Sequence, residues 1–319
     1  MKTLKVIYNY NAAPEFSEKL RSLSDSGIEV SICPEANDKL LFQLLEEADV
    51  LWHCLRPVTS DLIQAAPRLK LIQKIGVGVN TIDLESAKKN SVAVCNMPGT
   101  NSRAVAEHTL GLMLATLRQT RRFDATLRLN QKSGWQWNSD RQDQLGEIHG
   151  KKIGLIGYGS VPRLLTPVLQ AMGANVFYTA TSKKPEALAT YLPLDDLLRK
   201  CDIISLHLPL NNKTQNLISS DTLKQMKPGA ILVNTARGGL IDETALYAAL
   251  KRGELAGAGL DVFAEEPVPD GHIFFNLENV TLTPHIAWLT QETLLRSIEV
   301  AAENCHRLAM NKTLLHRII

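Results

Sequence analysis

The turn Gly157-Tyr158-Gly159-Ser160-Val161-Pro162 constrains this chain more than any other feature, because it follows the apolar run Lys152–Ile156 and opens a helical stretch, Val161–Met172. Glycine permits the tight turn, small residues let backbone approach an anion, and the helix start offers unbonded N–H groups and a positive dipole. That context is what a pyrophosphate loop requires. It points to a dinucleotide held by Gly157, Tyr158, Gly159, Ser160 and Val161. The third glycine of the pattern is replaced by Pro162. Proline is tolerated in a first helical turn, where its missing N–H would have had no partner, so the loop keeps its use with a shifted helix. Pro167 is a candidate for a kink in the same helix.

Short β-rich runs alternate with helical patterns along the whole chain, which is the mark of α/β folds with parallel sheets. In the first third, strands are expected at Leu4–Tyr8, Glu29–Cys33, Val50–Cys54, Leu71–Ile75 and Val92–Cys95, with helices at Ser17–Ser24, Lys39–Glu47 and Leu84–Lys89. A second series places strands at Lys152–Ile156, Ala174–Thr179, Asp202–His207, Ala230–Thr235, Gly257–Val262 and Val280–Leu282. Helices fit between them at Val161–Met172, Asp195–Arg199, Ser220–Met226 and Asp242–Arg252. Six such strands match a doubly wound dinucleotide fold.

A chain of 319 residues exceeds what one core usually holds. The break at Asn96-Met97-Pro98-Gly99-Thr100 and the last helical stretch, Gln291–Met310, suggest how it divides. Residues 1–100 plus 287–319 are expected to form a discontinuous, flavodoxin-like substrate-binding domain, and 101–286 a dinucleotide-binding Rossmann domain. Both are read as doubly wound parallel sheets, with a cleft between them. A long helix is predicted from Arg103 to Leu129, capped by Asn101 or Ser102. Its leucines cover more than one face, which reads either as a dimer element or as a fully buried core helix.

Composition excludes several classes. Net charge is +2 with signs interspersed, and no basic stripe interleaved with aromatics appears, so nucleic acid is a poor partner. No apolar run reaches the roughly 18–20 residues of a membrane span, and the N-terminus lacks a signal-peptide pattern. Cys33, Cys54, Cys95, Cys201 and Cys305 are scattered and never form a C-x-x-C pair. They read as small buried residues in a reducing cytoplasm, without a disulfide framework or metal site.

The cofactor's phosphate state is readable at the end of the strand Ala174–Thr179. An NAD site usually carries Asp or Glu there, about 20 residues past the glycines, for the ribose hydroxyls. Here the run is Tyr178-Thr179-Ala180-Thr181-Ser182-Lys183-Lys184, with no carboxylate before Glu186. Thr181, Ser182 and Lys184 would hold a 2′-phosphate, so NADP(H) is favoured over NAD(H); the bland alternative is a solvated basic turn.

Three strand ends carry chemistry: Val233-Asn234-Thr235-Ala236-Arg237-Gly238-Gly239, Leu260-Asp261-Val262-Phe263-Ala264-Glu265-Glu266-Pro267 and Thr283-Pro284-His285-Ile286-Ala287-Trp288. Parallel strands present their carboxyl ends side by side at the ligand edge, so Arg237, Glu266 and His285 can converge. Reduction of a 2-oxo acid needs an acid beside the forming alkoxide, and histidine titrates in the right range. Glu266 suits orientation of the ring, and Arg237 offers a planar fork for a carboxylate. Gly76-Val77-Gly78 reads as an anion nest of exposed amides. Leu55, Arg56 and Trp288 are candidates for substrate choice. Arg56 is either the partner of a second substrate anion or a surface residue.

With these motifs assembled, the chain from about Val50 to Leu308 resembles the D-isomer-specific 2-hydroxyacid dehydrogenases, which include glyoxylate/hydroxypyruvate reductases and phosphoglycerate dehydrogenases. The resemblance is carried by Lys74 through Asp83, by Asn101 with Val105-Ala106-Glu107-His108, by His207-Leu208-Pro209 with Thr214, and by the three strand ends. It implies that the Val77 and Gly78 backbone binds the substrate carboxylate and that Asp261 contacts the nicotinamide amide. It further implies that His207, Leu208, Pro209, Thr214, Thr235, Ala236, His285 and Ala287 line the cofactor, and that Arg237, Glu266 and His285 are catalytic.

Relatives also imply a homodimer, in which Trp135 or Trp137 either reaches the neighbour's active site or packs at the interface. The reading favoured is an NADPH-dependent reductase of glyoxylate or hydroxypyruvate. A short, NAD-using phosphoglycerate dehydrogenase is second, since an end at Ile319 leaves no room for a regulatory domain. A cofactor-sensing corepressor-like protein is the reading from another class, because fold alone does not establish catalysis.

Overall fold

The computed structural model describes residues 3–135 and 145–319, which fall into two compact units: 1–101 with 289–319, and 102–288. The first unit is built on five parallel strands, β1 (Leu4–Asn9), β2 (Ile28–Ile32), β3 (Val50–His53), β4 (Leu71–Lys74) and β5 (Ala93–Cys95), in the order β2-β1-β3-β4-β5. This is the flavodoxin-type doubly wound order. Helices α1 (Pro14–Arg21), α2 (Asp38–Leu45), α3 (Ser60–Gln64) and α4 (Leu84–Lys89) connect them. The Asn37 side chain caps α2 through Leu40 N at 3.1 Å, and Asp83 caps α4 through Ser86 N at 2.8 Å. Each such cap contributes about 1 kcal/mol.

The closing helix of the chain, α11 (Gln291–Ala309), belongs to this unit. Its buried residues Thr293, Ser297, Ile298, Ala301, Ala302 and Cys305 are successively 4, 1, 3, 1 and 3 positions apart, one stripe of a helix. A buried amide pair locks it in place: Asn304 donates to Gln73 Oε1 at 2.6 Å and exchanges hydrogen bonds with the Leu315 backbone. The C-terminal tail then pairs with β5, where Ile318 N donates to Val94 O.

The second unit holds seven parallel strands: β6 (Lys152–Ile156), β7 (Asn175–Thr179), β8 (Thr190–Tyr191), β9 (Ile203–Leu206), β10 (Ala230–Asn234), β11 (Leu255–Leu260) and β12 (Val280–Leu282). Their order is β12-β11-β10-β9-β6-β7-β8, so the strand order reverses at β6. The extra strand relative to the sequence reading is β8, whose two residues are too short to leave a pattern.

The predicted long helix is two: α5 (Ser102–Leu117) and α6 (Thr120–Gly134). The break falls at Gln119, whose φ of 49° no right-handed helix accommodates. Helix α5 lies on its own unit's sheet. A Cβ added at Gly257 would meet Thr116 Cγ2 at 2.8 Å, and one at Gly259 would meet Leu112 Cβ at 3.1 Å, so the bare backbone of β11 is what admits the helix. Helices α7 (Ser160–Ala171), α8 (Leu194–Lys200), α9 (Ser220–Leu223) and α10 (Glu243–Lys251) complete the unit. Pro162 occupies the first turn of α7, among N–H positions that have no intrahelical partner, and α7 runs on through Pro167 to Ala171.

All five cysteines are buried free thiols. Burial raises the Cys54, Cys201 and Cys305 thiols to about 12 and Cys95 to about 11. Among the described residues, no helix is long and apolar enough to cross a membrane, and no cluster of His, Cys, Asp and Glu is arranged to hold a metal ion.

Candidate active site

The glycine turn sits where β7, β6 and β9 end. Gly157 N donates to Thr179 O at 2.9 Å and His207 N to Ile156 O at 2.7 Å. Gly157 has φ 96°, and a Cβ there would lie 2.3 Å from His207 O, so no other residue fits. At Gly159 an added Cβ would meet nothing within 4 Å. An open backbone face followed by the start of α7 is a cradle that suits a pyrophosphate. The Tyr158 side chain turns the other way: it is buried, its ring lies 4.3 Å from that of Tyr178, and its hydroxyl reaches Thr166. Only its backbone faces the cradle side.

Past β7, Thr181 and Ser182 are exposed, and Lys184 is shaped by Tyr178, whose hydroxyl accepts the Lys184 amide at 2.7 Å. After β9, His207 pairs with Ser205 Oγ at 3.0 Å, and burial pulls its imidazole down to about 3, so it is neutral. Leu208 packs partly buried against the core. The Thr214 hydroxyl is spent locally: it donates to Pro209 O and accepts from Asn211 N.

The three catalytic candidates are brought together at the ends of β10, β11 and β12. Beyond β10, the Asn234 side chain accepts from Ala236 N at 3.0 Å and donates to Arg237 O at 2.8 Å, which fixes the turn. Thr235 is buried against Thr109 at 2.8 Å. Burial holds the Arg237 guanidinium below its ordinary range, and the Glu266 charge partly offsets this. Glu266 in turn accepts from Phe263 N through Oε1 at 2.9 Å and pairs with His285 Nδ1 through Oε2 at 2.6 Å. That leaves His285 Nε2 as the ring's other polar atom.

His285 has φ 53°, a conformation that costs a non-glycine residue about 1–3 kcal/mol. It is held there from both sides: its N–H donates to Asp261 O at 2.7 Å, and Trp288 Nε1 donates to its carbonyl at 3.0 Å. The Asp261 carboxylate is fully buried and accepts from Thr283 Oγ1 (2.6 Å), Ile286 N (2.9 Å) and Ala287 N (2.9 Å). Hydrogen bonds to a charged group contribute about 1.5–3 kcal/mol each, enough to hold the strained residue. The amide of Ala287 is thus engaged by Asp261, and buried Trp288 braces His285.

In the first unit, Gly76 O accepts from Met97 N and Val77 O accepts from Asn96 Nδ2, at 2.8 and 2.9 Å. A trans peptide aims its N–H opposite its carbonyl. The Val77 and Gly78 amides therefore point away from that anchor as a pair of donors. Leu55 N and Arg56 N both donate to Glu35 Oε1, while the Arg56 guanidinium is bound to Asp38 at 2.5 Å and to Glu35 O at 3.0 Å. Arg56 is thus engaged inside its own unit. Trp135 is 79% exposed, and Trp137 lies outside the described residues.

Two contacts escaped the sequence reading, which named His108 only as part of a family motif. His108 on α5 contacts Thr283 and Asp261, and a second His–Glu pair, His272 with Glu243 at 3.2 Å, anchors the loop that carries Glu266. Glu243 also accepts from Ala264 N at 2.9 Å. Neither pair has a sequence signature, since the partners are far apart along the chain.

A doubly wound sheet with a glycine turn at its reversal point, and an Arg–Glu–His set at neighbouring strand ends, defines a dinucleotide-dependent oxidoreductase. The D-isomer specific 2-hydroxyacid dehydrogenase NAD binding domain matches residues 110–287. Glyoxylate reductase of Aeropyrum pernix is 37% identical over 98% of this chain and 95% of its own length. D-3-phosphoglycerate dehydrogenase of Mycobacterium tuberculosis is 39% identical over 86% of this chain but only 51% of its own. Among solved structures, the TT0316 protein of Thermus thermophilus superposes with a TM-score of 0.88 at 33% identity, covering 99% of this chain and 100% of that one. The chain belongs to the D-isomer specific 2-hydroxyacid dehydrogenases, enzymes that work with a nicotinamide cofactor.

Proposed function

We propose that this enzyme reduces glyoxylate or hydroxypyruvate with NADPH, using His285 as acid, Glu266 as its orienting partner and Arg237 as carboxylate ligand. The observation that carries the reading is the 2.6 Å pairing of His285 Nδ1 with Glu266, beside an arginine that feels the same carboxylate. The outward amides of Val77 and Gly78 support their assignment to the substrate carboxylate. The cofactor is assigned to Gly157, Gly159, Ser160 and Val161 at the pyrophosphate, with Tyr158 contributing backbone alone. Thr181, Ser182 and Lys184 are assigned to the 2′-phosphate, and His207, Leu208, Pro209, Thr214, Thr235, Ala236, Asp261 and Ala287 to the remaining wall.

When bound, the nicotinamide supplies a hydride to C2 of the 2-oxo acid. Arg237 holds the carboxylate and polarises the carbonyl, which is stabilisation of developing charge by a preset donor. His285 Nε2 gives its proton to the carbonyl oxygen as the C–O bond becomes single. Glu266 keeps the imidazole aimed and stabilises its charged form before the transfer. In the oxidation direction the same nitrogen takes the hydroxyl proton.

The exposed side chains of Leu127 (41%), Leu129 (82%) and Trp135 (79%) on and just after α6 support a homodimer, and five free thiols fit the cytoplasm. Arg56, tied to Asp38, counts against a phosphorylated substrate. Initial rates of NADPH and NADH oxidation with glyoxylate, hydroxypyruvate and phosphohydroxypyruvate test the proposal. Fast NADPH use with the two small acids supports it; turnover with NADH alone, or only with the phosphorylated acid, sinks the cofactor or the substrate assignment.

A further inference from the structure

Helix α5 carries a histidine that the proposed chemistry leaves unused. His108 is partly buried, and its Nε2 lies 2.9 Å from Thr283 Oγ1 and 3.4 Å from Asp261 Oδ1. The single hydroxyl hydrogen of Thr283 is already donated to Asp261 Oδ1 at 2.6 Å. Toward His108, the threonine oxygen is therefore an acceptor, as is the Asp261 carboxylate. Both contacts of Nε2 demand a donor, so Nε2 carries the proton. The surrounding hydrogen bonds fix the tautomer.

The carboxylate that receives the Thr283 hydroxyl also receives the amides of Ile286 and Ala287, and the Asp261 carbonyl receives the amide of His285. The N–H groups of residues 285–287 thus all donate to Asp261, that of His285 also reaching Thr283 O at 3.1 Å. We propose that His108 is a positioning residue for His285. Its Nε2–H, donated to Thr283 and 3.4 Å from Asp261, orients the carboxylate that fixes the 286–287 backbone, and so keeps the strained His285 next to it aimed at Glu266. His108 touches none of the reacting groups assigned above, and its role rests on the reading of His285 as the acid.

The test compares His108→Leu, which cannot donate, with His108→Gln, whose amide can donate to the same pair, in the full chain with NADPH and glyoxylate. His108→Leu is expected to lower kcat about tenfold while KM stays within about twofold. It is also expected to speed amide exchange at Ile286 and Ala287 about tenfold in the cofactor-free protein. His108→Gln recovers most of both. Thr283→Val, which removes both the acceptor of His108 and the hydroxyl donor to Asp261, gives at least the same split if His108→Leu does not fold. Unchanged exchange at 286 and 287 in the leucine or valine variant, or a glutamine variant no better than leucine, overturns the proposal. A parallel His285→Ala variant separates the two readings. If it retains turnover, the acid assignment falls, while the exchange data still judge the hold of His108 on the segment.

Discussion

Gly238 and Phe263 approach so closely that a Cβ built on the glycine would lie 1.8 Å from the Phe263 carbonyl carbon and 2.0 Å from its oxygen. The turn bearing Arg237 and the loop bearing Glu266 are thus in backbone contact, and their spacing is set by a missing side chain. Gly238→Ala is expected to push the two loops apart, costing about 1–3 kcal/mol of stability. Because the reacting groups sit on both loops, kcat/KM with glyoxylate should fall about a hundredfold or more. Steady-state kinetics with a thermal melt check both; wild-type kinetics would show that the loops are not coupled.

The His285–Glu266 pair makes a graded prediction. His285→Ala removes the proposed acid and should lower kcat by about 10²–10⁴. Glu266→Gln keeps a hydrogen bond to Nδ1 but removes the charge, and a smaller loss is expected. Equal losses in the two variants, measured with saturating NADPH, would mean that Glu266 does more than orient the ring.

Ala180 stands where an NAD site carries its acid. Ala180→Asp should lower kcat/KM for NADPH about ten- to a hundredfold and spare NADH, through repulsion of the 2′-phosphate. Competition between the two cofactors reads this directly, and an unchanged ratio would remove the residues 180–184 from the discrimination.

Acid should destabilise the fold through its buried imidazoles. Burial holds His207 down to about 3, and burial with the nearby Lys74 charge holds His53 well below its usual value. In the unfolded chain both titrate near about 6.5, so below that pH only the unfolded chain gains the proton. Stability is then complete above about pH 6.5 and falls as pH drops, by up to about 1.4 kcal/mol per pH unit for each histidine. Urea unfolding at pH 7 and pH 5 should show the loss, with a shallower slope in His207→Gln and His53→Gln. Parallel slopes would place the acid sensitivity elsewhere.

The Glu243–His272 clamp gives a test away from the reacting atoms. Glu243→Ala strips the acceptor from Ala264 N and from His272 together, at a cost of about 0.5–1.5 kcal/mol for each hydrogen bond lost. The loop holding Glu266 should loosen, with kcat falling more than KM rises. Full activity in this variant would show that the loop is held by other contacts.

How much of this was legible in the sequence depends on the range of the interaction. The strands, their parallel order and the Arg237, Glu266 and His285 ends follow from local apolar runs and from the rule that parallel strands share a ligand edge. The break between α5 and α6 was hidden because Gln119 is neither glycine nor proline, so nothing local marks the left-handed turn. Tyr158 could be placed on the loop but not oriented, since side-chain direction there is decided by Tyr178, a strand away. Arg56 offered a charge to be used by a ligand; its capture by Asp38 and Glu35 is a tertiary event. His108 stood in a family motif, but its role went unread for the same reason, its partner Thr283 being 175 positions along the chain.

The five buried thiols have one more consequence. A thiolate, not a thiol, attacks a labelling reagent, and burial in the folded protein suppresses both ionisation and access. The native chain should therefore be silent to such reagents, and each modification becomes a time stamp of an opening event. Cys201 stands in one unit, and Cys33, Cys54, Cys95 and Cys305 in the other. Residue-resolved labelling rates would thus tell whether the two halves of this enzyme come apart together or in sequence, with no probe added to the molecule.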